Sequence, residues 1–256
     1  MVTVAIRAMD EADVPVVSEI RVRGWQWAYE GIVPAGYLAT MDPAEDAARR
    51  REFFATSRGR VRNLLAVVRD DSASGGGARG DSPEDGSAAG ASARGGSPRD
   101  DSPQGGSATG GGTRDSSAAG GSARGDSPRD DSASGGSARE RVVGWAAFGP
   151  YRGEPDTTAD CELYALYLRP EWAGRGVGRA LMAEVVRQAA AQGRERLLLW
   201  VLADNARARR FYAAAGFAPD GTEATDTFDG VSLSEVRYAR DLRNAASAAA
   251  PEQPTG

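Results

Sequence analysis

The chain has 256 residues, with 31 basic residues (all of them arginine), 36 acidic residues, no histidine and a single cysteine. Without histidine or lysine, a Ser-His-Asp triad, a histidine metal site, a Schiff-base lysine and a phosphate-loop lysine are excluded, and the lone Cys161 excludes an internal disulfide or a cysteine zinc cluster. The net charge of −5 sits in one stretch: residues 70–140 hold 12 acidic residues and 7 arginines, while the remainder balances at 24 of each sign, so nothing points to nucleic acid.

In chain order, Val2 to Arg7 reads as a strand, and Asp10 caps a helix to about Ala28 with Pro15 near its start. A short turn at Pro34–Leu38 leads to a polar helix from Pro43 to about Ser57, and Asn63–Val68 reads as a strand. Residues 70–140 follow, with no aromatic residue and no aliphatic side chain larger than alanine. Such a segment has nothing to bury against the entropy of ordering, so it is expected to be a disordered, low-complexity insertion replacing a hairpin turn. It divides one domain into residues 1–69 and 141–243; residues 244–256, rich in Ala and Pro, read as a loose tail. Beyond the insertion, Arg141–Phe148 and Glu162–Leu168 read as strands, and a helix runs to about Gln192. Leu197–Val201 is an apolar run fit for a central strand covered on both faces. A helix from Asn205 to Ala215 ends at Gly216-Phe217, and strands near Thr222–Phe228 and Glu235–Arg240 close an α/β domain with a mixed sheet. No apolar run reaches membrane-span length and the N-terminus lacks a leader pattern, so a soluble, cytoplasmic protein is expected.

The stretch Trp172-Ala173-Gly174-Arg175-Gly176-Val177-Gly178-Arg179 carries the most chemistry. Glycines let the main chain approach a ligand closely, and the first turn of the following helix offers unpaired N–H groups and a positive dipole end. That combination suits a phosphate or pyrophosphate. The spacing misses G-x-G-x-x-G, since the last position falls on Arg179 or Leu181, and the absence of lysine excludes a Walker loop.

Leu166-Tyr167-Leu168-Arg169-Pro170-Glu171-Trp172 followed by Gly174-Arg175-Gly176-Val177-Gly178 resembles the acetyl-CoA pyrophosphate loop of the GNAT-type N-acetyltransferases. Asn205 through Phe211-Tyr212 with Gly216-Phe217 resembles that family's later N…A…FY…GF motif, and Arg21–Trp25 through Pro34 and Tyr37-Leu38 is similar to its N-terminal segment. Ala173 departs from the pattern, standing where Arg or Gln is usual. The resemblance implies a mixed, mostly antiparallel central sheet whose parallel fourth and fifth strands splay apart, with flanking helices. It implies acetyl-CoA as acyl donor, no metal, and an amine of a small molecule or peptide as acceptor, attacked directly in a ternary complex. Nucleic acid and membrane are not expected as partners; a homodimer is compatible. The alternative is a non-catalytic acyl-CoA-binding regulator.

Carried over residue by residue, the donor site comprises Leu166, Tyr167, Leu168, Ala173, Gly174, Arg175, Gly176, Val177, Gly178, Arg179 and Asn205, with main-chain N–H groups near Leu166 and Leu168 facing the developing oxyanion. Asn205 bonds the pantetheine arm or simply caps its helix. Tyr212, seven residues on and so nearly two turns away, is the candidate acid for the departing thiolate, with Ala208, Phe211 and Ala215 on the opposite, inward face. The alternative is a core tyrosine. Glu162 is the candidate base through water, or else a strand carboxylate paired with arginine. Trp25, Tyr29 and Glu30 form a candidate acceptor wall, or part of the core. Cys161 has no histidine to activate it as an acyl carrier.

Overall fold

The computed structural model describes residues 3–69, 140–153 and 159–243. Apart from Glu140, the expected coil over 70–140 lies outside the described residues, as does the tail from 244. The elements are β1 (Thr3–Ala8), α1 (Val14–Ala28), α2 (Ala35–Ala39), α3 (Pro43–Thr56), β2 (Arg62–Arg69), β3 (Glu140–Pro150), β4 (Asp160–Leu168), α4 (Val177–Ala191), β5 (Arg196–Leu202), α5 (Ala206–Ala214), β6 (Ala218–Phe228) and β7 (Val231–Asp241). Where Pro34–Leu38 reads as a turn, the chain forms the short α2, and Leu38 is buried in the core.

Local chemistry accounts for the helix starts. Asp10 accepts from the Ala12 N–H at 2.9 Å, and Asp13 reaches back to the Asp10 N–H at 2.9 Å, a reciprocal box before α1. Pro15 sits in the first turn of α1, where its missing N–H costs nothing. Asp42 accepts from the Ala44 and Glu45 N–H groups at 2.8 and 2.9 Å and starts α3. The two helices are tied through Asp46, which takes Arg21 at 2.7 Å and Arg50 at 3.2 Å.

All seven strands form one sheet in the order β1-β2-β3-β4-β5-β7-β6, antiparallel except for β4 beside β5. Alternation along the strands feeds two cores. Leu64, Ala66, Leu166, Leu168, Leu197, Leu199 and Val201 pack under α4 and α5. Leu65, Val67, Trp145, Tyr167, Leu202 and Phe228 pack under α1, α2 and α3. Gly24 allows α1 to lie close over β4, for a Cβ there would come within 3.0 Å of the Tyr167 ring.

β2 and β3 pair in antiparallel register to their ends, with Arg69 opposite Glu140. Glu140 therefore belongs to the strand rather than to the coil, and Arg7 holds it at 2.8 Å. Because loop closure grows only logarithmically with loop length, this register tolerates a long connection. A chain lacking residues 72–138 is expected to unfold cooperatively within a few degrees of the full chain, measured by thermal circular dichroism.

Candidate donor and acceptor site

The site begins where a sheet bond stops. β4 and β5 are paired only from Asp160–Arg196 to Glu162–Leu198, although β4 continues to Leu168 and β5 to Leu202. From there the strands part. In β4 the register against β3 also slips, Phe148 facing Leu163 and Ala147 facing Ala165, so Tyr164 is the extra residue of a bulge. Leu166 and Leu168 face α4 and α5, whereas Tyr167 faces α1 and stacks on Trp145 at 6.3 Å between ring centroids.

At the open end, Arg169 pins the chain leaving β4: its Nε donates to the Val142 carbonyl at 3.0 Å and its guanidinium pairs with Glu19 at 2.9 Å. A 3-10 turn over Pro170–Trp172 leads through Ala173 to Gly174 and Gly176, at φ 76° and 81°, a region that other residues avoid. Gly176 occupies the N-cap of α4 and no side chain caps that helix, so its first N–H groups face the turn. Gly174 and Arg175 are exposed, Ala173 and Gly176 half-buried, Val177 and Gly178 buried, and Arg179 exposed. The turn is thus open to a ligand.

Asn205 is the N-cap of α5, its Oδ1 accepting from the Ala208 N–H at 3.0 Å. Its Nδ2 is buried and has no partner among the described residues. The cap thus occupies one end of the amide only. Tyr212 is fully buried, edge-on to Phe211 at 5.3 Å and to Phe217 at 6.0 Å, and its hydroxyl also lacks a partner among the described residues. Ala208 and Phe211 are buried as well, so Tyr212 does not lie on a face opposite to them. The three form one buried stripe of α5, while Ala206, Arg210, Ala213 and Ala214 are exposed. Burial, and secondarily Tyr167, holds the Tyr212 phenol well above its ordinary range, so it stays protonated as a donor.

Glu162 is buried on the closed side of the gap. Its carboxylate accepts from the Arg152 guanidinium at 2.7 Å and from the Arg152 N–H at 3.1 Å. Trp25 and Tyr29 belong to the α1-side core, 4.5 Å apart, with Phe228 at 6.0 Å from Trp25, whereas Glu30 is exposed. The three therefore do not form one wall. The Cys161 thiol is buried, donates to the Arg196 carbonyl at 3.4 Å, and is pushed up to about 12 by burial, so it remains a thiol. Among the described residues no group of three His, Cys, Asp or Glu could hold a metal ion, and no helix is long and apolar enough to cross a membrane.

One group escapes the sequence reading. Glu235 of β7 is fully buried, opposite Leu202 of β5. The Tyr29 phenol is pushed well above its ordinary range by burial first, with Tyr167, Tyr212 and Glu235 close enough to add to the shift.

Residues 126–217 match the Acetyltransferase (GNAT) family, a span running to Phe217 through the glycine turn and α5. Over this stretch the chain is that of the GNAT acetyltransferase family. It is 44% identical over 82 residues to an uncharacterized N-acetyltransferase of Mycobacterium tuberculosis, covering 32% of this chain and 49% of that protein. It is 37% identical over 78 residues to a mycothiol acetyltransferase of Kocuria rhizophila, covering 30% and 26%. The chain thus spans about half, or less, of the length of these relatives. The fold is similar to that of the PaiA N-acetyltransferase of Thermoplasma acidophilum in complex with coenzyme A (TM-score 0.51, 15% identity, 93% and 99% of the two chains). It is equally similar to that of the Salmonella typhimurium protein yncA with acetyl-CoA (TM-score 0.51, 15% identity, 99% of both chains). The expected GNAT-like arrangement of a mixed sheet with splayed fourth and fifth strands is the one observed.

The buried phenols have a consequence for stability. Tyr29, Tyr164 and Tyr212 are all raised by burial, and so is Cys161. Above about pH 9 the unfolded chain releases protons that the folded chain keeps, so stability is full below that pH and falls as pH rises. The slope should approach about 1.4 kcal/mol per pH unit for each group. Urea-unfolding midpoints between pH 8 and 11 should show this fall, with a shallower slope for Tyr29→Phe.

Proposed function

We propose that the protein is an acetyl-CoA-dependent N-acetyltransferase, moving the acetyl group to a primary amine of a small molecule or peptide by direct attack in a ternary complex. The observation that carries this reading is the pair of orphaned polar groups beside the strand gap. The Asn205 Nδ2 and the Tyr212 hydroxyl are buried without partners among the described residues, and an unsatisfied buried donor costs about 1–3 kcal/mol. A pantetheine arm between β4 and β5 would satisfy the first, and the thioester end would meet the second.

The residues present fit this donor. Main-chain N–H groups of residues 174–178 and the start of α4 suit its diphosphate, with Arg175 and Arg179 flanking and Ala173 contributing main chain only. The parted edges of β4 and β5 suit an amide-bearing arm, with N–H groups near Leu166 and Leu168 turned to the thioester oxygen. Bound acetyl-CoA supplies an acyl group activated toward amines. Tyr212 is the proton donor to the departing sulfur. Glu162, as base through water, would have to share its carboxylate with Arg152. The alternative is a non-catalytic acyl-CoA-binding regulator. It is supported by Ala173, which offers no side-chain contact, and by that commitment of Glu162. A cytoplasmic location accords with the reducing setting that a single buried thiol suits.

Free-thiol release with acetyl-CoA across aminoglycosides, polyamines, amino acids and peptides tests the activity. Turnover with any of them excludes the regulator; acetyl-CoA binding without turnover on all of them favours it. Tyr212→Phe should lower the rate by roughly 10²–10⁴ while leaving the calorimetric affinity for acetyl-CoA within a few fold. Gly176→Ala forces a side chain into the left-handed region, a strain of about 1–2 kcal/mol. Calorimetry should show it weakening acetyl-CoA binding by roughly 5- to 30-fold.

A further inference from the structure

α1 roofs the open end of the gap. Gly24 lies over Tyr167 of β4, where an added Cβ would come within 3.0 Å of the ring. Three residues on, the Trp27 ring carries the Arg207 guanidinium of α5 at 3.9 Å from its centroid. Between them Trp25 reaches Phe228, the last residue of β6, at 6.0 Å, and Tyr37 of α2 meets the same ring edge-on at 5.4 Å. α2 also abuts the β6–β7 turn, for a Cβ on Gly36 would stand 3.7 Å from the Asp229 Oδ2. An aromatic corner is thus built from α1, α2 and the hairpin, beside the opening.

Two polar atoms here are buried with no hydrogen-bond partner among the described residues, the Trp25 Nε1 and the Asp226 Oδ2. Asp226 shares its face of β6 with Phe228, two residues on, and stands opposite Leu233 of β7, which packs on the same core. Exposure alternates to match: Thr225 and Thr227 are exposed, Asp226 is half-buried and Phe228 fully buried. The other carboxylate oxygen, Oδ1, accepts from the Thr227 N–H at 2.7 Å, a local contact that leaves Oδ2 to something else. The Ser234 carbonyl accepts from the Ala203 N–H at 2.8 Å, just past the end of β5, so Leu233 and Asp226 lie beyond that end. β7 separates β6 from β5, which puts Asp226 two strand spacings, about 10 Å, from the edge of the gap. A group that Asp226 holds is therefore not the nitrogen that attacks the thioester.

The two atoms ask for different partners. A carboxylate oxygen accepts, and beside aromatic rings a cation is the donor that gains most. The indole N–H only donates, so it needs a lone pair, which an ammonium group does not have. One molecule meets both needs if it carries a cation and an oxygen acceptor. Resting on the acetyltransferase reading, we infer that the acceptor is a basic amide. Beside the amine that is acylated, it carries a second cationic group held by the Asp226 Oδ2 and a carbonyl oxygen held by the Trp25 Nε1. Asp226 and Trp25 are then the residues that set acceptor specificity, and the carbon chain of the acceptor lies against Phe228 and Tyr37.

The test follows thiol release from acetyl-CoA by the full chain with three acceptors. They are lysine amide, norleucine amide, which lacks the second cation, and pentamethylenediamine, which lacks the carbonyl. For the native chain, kcat/KM for lysine amide should exceed that for norleucine amide by roughly 10-fold or more, and that for pentamethylenediamine by about 3- to 10-fold, mainly through KM. Asp226→Asn keeps an Oδ1 for the Thr227 N–H and should bring the first ratio close to one while the second persists. Trp25→Phe keeps a ring beside Phe228 and should bring the second ratio close to one while the first persists. A ratio within one variant does not depend on how much of it is folded, and a general loss of packing would lower all three acceptors together. Should either variant fail to fold, the two native ratios carry the test alone. Native ratios near one, or a folded variant that keeps the ratio assigned to it, overturn the inference and leave the acetyltransferase reading intact, as does turnover confined to amines outside this set. Acetyl-CoA binding with no turnover of any amine overturns both.

Discussion

The rest of the molecule depends on a sheet that stops being one. β4 is paired along its length with β3, and β5 with β7, yet the two share only three register positions with each other. Each strand is therefore well anchored on its outer side and bare on its inner side. Bare main-chain groups in a buried setting are costly unless something satisfies them. Helices packed on both faces keep the strands from collapsing together: α4 and α5 over Leu166, Leu168, Leu199 and Val201, α1 over Tyr167 and Leu202. The bulge at Tyr164 and the anchoring of Arg169 to Val142 and Glu19 then fix where β4 leaves the sheet and where the glycine turn begins.

The opening also sorts the ionisable groups. At its closed end Glu162 is neutralised by Arg152, whose guanidinium lies 4.3 Å from the Tyr164 ring centroid, a compensated arrangement that suits a structural carboxylate. At its open end stand neutral phenols in a dry environment, where raised pKa values keep the hydroxyl protons in place. The phenols of Tyr29, Tyr167 and Tyr212 come from the end of α1, from β4 and from α5, elements far apart in sequence.

That explains what was legible in the sequence. The glycine turn, the cap at Asn205 and the apolar β5 are local patterns, each written within a dozen residues, and so are the box at Asp10 and the cap at Asp42. The two flanks of the insertion were legible for the same reason, as continuous apolar runs. Glu235 was not. In β7 the apolar Val236 and Tyr238 mark the α5 side as inward, which leaves Glu235 on the apparent solvent side of an edge-like strand. Only α1 and α2, folding over from the other end of the chain, make that second side interior. Glu30, one residue after the buried Tyr29, lies exposed in the turn that follows α1.

The point at which the long connection joins the sheet bears on how independent the site is. β3 starts at Glu140 and runs antiparallel to β4, with Gly144 opposite Leu168, so the connection leaves the sheet at the same end as the glycine turn. Arg141 reaches Glu171 of that turn at 2.8 Å, and the Val143 carbonyl accepts from the Arg169 N–H at 2.9 Å. The strand that carries the connection is thus a direct support of the glycine turn. Its ends are nevertheless closed by the sheet itself: Arg69 and Arg7 both converge on Glu140, and the β2–β3 register is complete to its last pair. Strand pairing at the Arg69–Glu140 end thus sets the geometry that the glycine turn inherits.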